Sequence, residues 1–311
     1  MRTIWHQVGY KIDMNMQTRA NASSDSVIYL PQALLVCWAD GTLNWRGVSP
    51  SWVTEWQPEL QDIVQSFGTR PAGIRCPNAV FSYPISNRRV VCVRVGDLGD
   101  DENQPIGLGF QLVVMKQAEY DAIGGNPFRM FMDAPIIWLA NSALPDFIAA
   151  VLMNMDDLQV LAKAYQRPES AFILGGCQAI LDGNRLVIEK PEPATDLLAD
   201  LWTLLPFSER SDHWPASFAF SNVLRFDVVV LPKLTPTESD SGYLTFEQTE
   251  QYPEGRYEST LQWAIESGDQ LIAHRLLLRR SRRQTFKLGL YLLLGMMLLS
   301  ALLGVLSQFR P

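Results

Sequence analysis

Nineteen consecutive uncharged residues, 288–306, ten of them leucine, lie near the end of the chain, and no other stretch limits its folding so strongly. At the helical rise of ~1.5 Å per residue they would reach about 28 Å, close to the ~30 Å of a bilayer's hydrocarbon core. The run therefore predicts one C-terminal transmembrane helix over residues 288–306, single-pass and tail-anchored. Arg275, Arg279, Arg280, Arg282, Arg283 and Lys287 precede it, and only Arg310 follows. An excess of Lys and Arg marks the cytoplasmic side of a span. This membrane collar thus predicts an inner-membrane protein whose N-terminal body faces the cytoplasm, with the lipid bilayer as its first partner. The first residues contain no apolar export signal, in keeping with that orientation. Ser300 and Gly304 form a small-xxx-small pair, a candidate helix–helix contact for a homodimer.

The formal charge of −7 averages two unlike parts. All 33 acids and 19 of the 26 bases lie in residues 1–274, giving −14, while seven bases and no acid follow. A body so acidic offers no electrostatic footprint for phosphate, which argues against nucleic acid as a partner. With 47% hydrophobic and 19% charged residues the chain is globular rather than disordered. Cys37, Cys76, Cys92 and Cys177 include no CxxC pair, so free thiols are expected.

Periodicity predicts an α+β body with mixed or antiparallel sheets and packed helices. Residues 33–38 and 42–45 flank Asp40-Gly41, a two-residue turn signal for a hairpin. Pro58 opens a helix carrying Leu60, Ile63, Val64 and Phe67 at helical spacing, with Gly68 to end it. Residues 90–95 and 108–115 read as strands, as does 134–140. Residues 145–165 read as the body's best helix, with Ile148, Val151, Leu152, Met155 and Leu158 on one stripe. Strands are expected around Asp182-Gly183, then a helix from Thr195 to Leu205, and a buried strand at 226–231. The parallel order of an Asp-Gly turn, a helix, Ser-Asn and a Val-rich strand in the two halves suggests two related lobes, 1–140 and 141–234. Residues 235–256 read as a linker, and a basic juxtamembrane helix, 257–287, follows.

The search for chemistry returns few constellations. There is no GxxxxGK[ST], GxGxxG after a strand, HExxH or GxSxG, so no cofactor is expected. Asp97, Asp100, Asp101 and Glu102 crowd oxygen ligands suited to a hard cation, but Glu102 and Leu108 stand where an EF-hand places glycine and glutamate. They are metal candidates, with a solvated hairpin tip as the alternative. His213, in Ser-Asp-His-Trp-Pro, is a catalytic candidate as a base toward a neighbouring hydroxyl; a surface turn is the alternative. Trp38, Trp45, Trp52 and Trp56 fall within nineteen residues. They could form a partner face, since aromatic anchors carry binding energy at interfaces, or pack a hairpin on a helix.

Residues 196–232, DLLADLWTLLPFSERSDHWPASFAFSNVLRFDVVVLP, resemble bacterial GTPase-associated proteins of signalling and conflict gene neighbourhoods in their helix, proline break, aromatic turn and terminal strand. The resemblance implies an α+β adaptor beside a GTPase partner and transfers no catalytic residue. The expected function is an interaction or adaptor module that holds a protein partner at the inner membrane face. A membrane-tethered hydrolase with a site outside known motifs, or a subunit of a larger membrane complex, are the alternatives.

Overall fold

The computed structural model describes residues 27–98, 107–132, 134, 143–151, 158–234, 242–279, 285–286, 289–297 and 300. Two apolar runs form its central strands, β5 (Arg89–Leu98) and β6 (Gly107–Lys116), buried along almost their whole length. Strands covered on both faces read as unbroken Val, Leu and Ile rather than as an alternation. The hairpin predicted around Asp40-Gly41 is β2 (Gln32–Trp38) and β3 (Leu43–Val48), and the helix opened by Pro58 is α1 (Gln57–Ser66).

With β4 (Ala79–Ile85), β8 (Arg185–Glu189), β9 (Pro215–Ala216), β10 (Val228–Leu231) and β11 (Tyr243–Leu244), these strands make one mixed nine-stranded sheet. Its order is β11-β8-β10-β9-β4-β5-β6-β2-β3. The first four are mutually parallel, and the others pair antiparallel. Strands from residues 1–140 and from 141–234 therefore share a single sheet, joined where Phe81 of β4 pairs with Ala216 of β9. Two short helices follow β6, α2 (Gln117–Ala122) and α3 (Pro127–Met132). Then come α4 (Leu158–Tyr165), α5 (Ser170–Leu181), α6 (Thr195–Leu204) and α7 (Phe207–Arg210). Apolar all round and buried from Phe172 to Leu181, α5 packs between β8, α4 and α6, as an all-apolar helix in a core must.

The α+β body with a mixed sheet and packed helices stands, and the transmembrane helix does not. Among the described residues no helix is long and apolar enough to cross a membrane. Within the apolar run the described residues 289–297 and 300 are helical. The membrane, single-pass and tail-anchored reading falls with it. Of the collar, Arg275 and Arg279 are exposed on the body, and Arg280, Arg282, Arg283 and Lys287 lie outside the described residues. Ser300 donates its hydroxyl proton to the Met297 carbonyl at 2.9 Å, and Gly304 lies outside the described residues.

Four local expectations also change. Residues 147–150 form a strand, β7 (Phe147–Ala150), antiparallel to β1 (Val27–Leu30), because Phe147 and Ala149 are buried while Ile148 faces solvent with period two. Asp182-Gly183 ends α5 rather than turning a hairpin, since a glycine at φ +93 closes a helix as readily as it turns a strand. The stretch read as a linker holds β11 and α8 (Phe246–Glu250), and Phe246 stacks on Phe172 of α5 at 4.6 Å. The long final helix is two, α9 (Arg256–Ser267) and α10 (Gln270–Leu277), divided by left-handed Gly268 and recapped by Asp269. Leu277 is fully buried, and Ser208 of α7 donates to the Arg279 carbonyl at 2.6 Å, so α10 belongs to the body. The strand expected at 134–140 lies, beyond Ala134, outside the described residues.

Phe67, just after α1, meets Phe81 of β4, Phe110 of β6 and Phe220 at 5.7, 5.7 and 5.4 Å between ring centroids. Replacing it with alanine leaves a cavity at the junction of three elements. Phe67→Ala is expected to lower unfolding free energy by about 3–5 kcal/mol, read as the shift of a urea titration followed by tryptophan fluorescence.

Candidate functional site

The β2–β3 turn is set by local bonds. Trp38 and Gly41 donate their backbone N–H to Thr42 O and Trp38 O at 3.0 and 2.9 Å, and Thr42 N–H donates to the Asp40 carboxylate at 2.8 Å. The Thr42 bonds hold the Asp40 carboxyl below its ordinary value. Beyond the turn, β3 alternates: Leu43, Trp45 and Gly47 are half-buried, and Asn44, Arg46 and Val48 are exposed. Trp45 sits 5.7 Å from Trp52, and Trp52 sits edge-on to Trp56 at 5.6 Å. The Arg89 guanidinium lies 5.3 Å from the Trp56 ring. Three of the four singled-out tryptophans thus form one cluster on the α1 side of the sheet. Trp38 instead meets the Arg46 guanidinium, 5.3 Å from its ring.

Among the described residues β3 has one neighbour and forms an edge of the sheet. The Trp38–Thr42 pair is hydrogen-bonded, and antiparallel pairs alternate between bonded and non-bonded. Val36–Asn44 is then the next bonded pair, and Leu43 and Trp45 aim their N–H and C=O groups away from β2. A row of backbone donors and acceptors stands open beside the tryptophan cluster. The register shifts between Leu34 and Leu35, opposite Trp45 to Gly47, a bulge that limits the flat part of the edge to residues 43–45.

The other candidates are engaged elsewhere. Asp97 is ion-paired to Arg70, lies 3.6 Å from Arg75 Nε and accepts the Cys76 N–H at 3.0 Å, so its charge is spent at the base of β5. Asp100, Asp101 and Glu102 lie outside the described residues, and among those described no group of three or more His, Cys, Asp or Glu could hold a metal ion. Cys76, Cys92 and Cys177 are buried free thiols, and burial pushes each pKa far up. Cys37, partly exposed, is raised by burial and by Asp40.

His213 is not at the surface. Its Nε2 lies 3.5 Å from Glu209 and its Nδ1 3.6 Å from Asp227, whose other oxygen is 3.3 Å from Arg185 Nε. Burial opposes the imidazolium, but attraction to Asp227 and Glu209 outweighs it and lifts the pKa to about 9. The ring is therefore a cation at neutral pH, with each nitrogen facing a carboxylate rather than the Ser211 hydroxyl. Beside it, Tyr120 and Trp214 stack at 6.1 Å. Residues 196–232 supply α6, α7, β9 and β10, and with them much of the core.

Sequence reasoning missed the part played by Arg46 and the edge position of β3. A partial signal was present, since Leu-Asn-Trp-Arg alternates apolar and polar as a strand with one solvated face does. No protein-family model matches the chain, and no curated protein matches it.

The His213 cluster predicts a pH dependence. A folded-state pKa of about 9, above the ordinary 6.5, means that its contribution is complete below pH ~6.5 and is lost as pH rises through ~9. His213→Gln is expected to cost roughly 2–4 kcal/mol at pH 6, a gap that narrows steadily toward pH 9 in urea titrations of both proteins. A gap that does not change with pH would show that the ring is not held as a cation.

Proposed function

We propose that this chain is a protein-interaction module that receives an extended segment of a partner protein along β3, as a tenth strand of its sheet. The open backbone groups of Leu43 and Trp45, beside the Trp45–Trp52–Trp56 cluster, carry this reading. In strand addition main-chain bonds supply affinity, and pockets for alternate side chains supply specificity. Tryptophans whose rings are already packed against one another offer large contact area with little entropy left to lose.

The charge of the strand narrows the occupant. From Leu43 to Val48 there is one formal charge, exposed Arg46, and no acid. Two copies paired through β3 would bring like charges onto the same small strand, which is unfavourable. A partner with apolar residues at alternate positions and an acid opposite Arg46 suits it better. The catalytic candidate His213 lies between Glu209 and Asp227, whose attraction lifts its pKa to about 9, and the metal candidate Asp97 is paired to Arg70 and Arg75. A GTPase, the partner class implied by the resemblance of residues 196–232, is the first protein to try.

Selecting peptides that bind the folded chain from a displayed random library tests this reading. Enriched peptides should alternate apolar residues and contain an acid. Leu43→Pro removes an outward N–H while sparing the bonds to β2, and should weaken their binding about tenfold or more with an unchanged near-ultraviolet circular dichroism spectrum. Arg46→Glu should shift the selection from acids to bases. Equal binding by Leu43→Pro, or selected peptides indifferent to Arg46→Glu, would contradict strand addition at this edge.

A further inference from the structure

A cleft of about 400 Å³ opens between the end of α1 and the paired ends of β2 and β6. That size lies in the range of small organic ligands. Phe110 and Leu108, both buried, and Trp38 give it an apolar wall, and Cys37, Gly68 and Arg70 complete the part that matters here. No acid is among the described residues that line it. The cleft lies beside the β2–β3 turn and is separate from the open edge of β3.

The charges behind the wall are unequal. Arg70 and Arg75 share the single carboxylate of Asp97, and this trio keeps one net positive charge. Arg70 is the member that lines the cleft. Its Nη2 is held by Asp97 and by the Gly107 carbonyl at 3.3 Å, which fixes the plane of the guanidinium and leaves other N–H groups of its five uncommitted by these two bonds. A fixed guanidinium with donor capacity left over, at the edge of a small apolar space, matches a carboxylate attached to an apolar body. The flat indole of Trp38 suits a planar one.

We propose that this cleft is a binding site for a small organic anion with a planar apolar body, its carboxylate directed to Arg70 and its body against Trp38, Leu108 and Phe110. Cys37 provides the readout: it lines the cleft and is the one thiol among the four that is not buried. The probe is 2-naphthoate, with uncharged 2-naphthylmethanol as its neutral counterpart, and the signal is the rate at which iodoacetamide alkylates Cys37 in the full folded chain.

Naphthoate should slow alkylation saturably, and the neutral alcohol should need about 10–100-fold more for the same protection, the margin of a charge-assisted hydrogen bond. In Arg70→Gln the two compounds should protect alike. Gln65→Trp, at an exposed position of the rim, places an indole over the cleft while keeping Arg70 and the core residues unsubstituted, and should abolish the further protection that either compound gives relative to the same variant without ligand. It decides the matter if Arg70→Gln proves unstable. No protection by naphthoate, equal protection by the alcohol in the unaltered chain, or full protection in Gln65→Trp would overturn the proposal.

Discussion

Phe67 ties the N-terminal half of the chain to the C-terminal half, and the site at the sheet's edge depends on that joint. Its ring packs on Phe81, Phe110 and Phe220, and its carbonyl accepts the N–H groups of Phe220 and Ser221 at 2.9 and 3.2 Å. Further along the seam, Ser217 donates its N–H to the Val80 carbonyl at 2.9 Å, and its hydroxyl oxygen accepts the Val80 N–H at 2.8 Å. With α1 fixed there, the segment leading into it holds Trp52 and Trp56 against Trp45. The last strand of the antiparallel end is thereby tied through Trp45, Trp52 and Trp56 to the segment that leads into α1.

The interior uses charge for structure. Arg94 is buried, its guanidinium 4.9 Å from the Phe131 ring while it donates to the Phe131 and Ala134 carbonyls at the end of α3. Arg210, also buried, donates to Leu205 O and Thr203 O at 2.8 and 2.6 Å and closes the end of α6. Both satisfy carbonyls that a helix end leaves without partners. Glu209, His213, Asp227 and Arg185 follow one another in alternating sign, running from buried Glu209 to exposed Arg185, and link α7 to β8 and β10.

What could be read from sequence was what short-range physics decides. The Asp40-Gly41 hairpin, the helix over Leu60, Ile63 and Val64, and the strands around Cys92 and Leu112 follow from turn chemistry and periodicity alone. Residues 147–150 misled because Ile148, Val151 and Leu152 fit a helical stripe, and pairing with Val27–Leu30, over a hundred residues away, decided for a strand. Asp182-Gly183 misled because the same left-handed glycine serves two kinds of turn. Residues 235–256 read as a linker from their polar composition, yet Tyr243 and Phe246 anchor the described part, 242–256. Of the site, the density of tryptophan was visible at once. That β3 stands at the edge was not, because strand order is a property of the whole sheet.

Outer backbone groups of β3 that are open for a partner should show themselves in residue-resolved amide hydrogen exchange of the free chain. Leu43 and Trp45 should exchange fast on either side of a protected Asn44, whose N–H faces β2. On binding a selected peptide, Leu43 and Trp45 should become as slow as Asn44. If Leu43 and Trp45 are already as protected as Asn44 in the free chain, the edge is covered and the account is wrong.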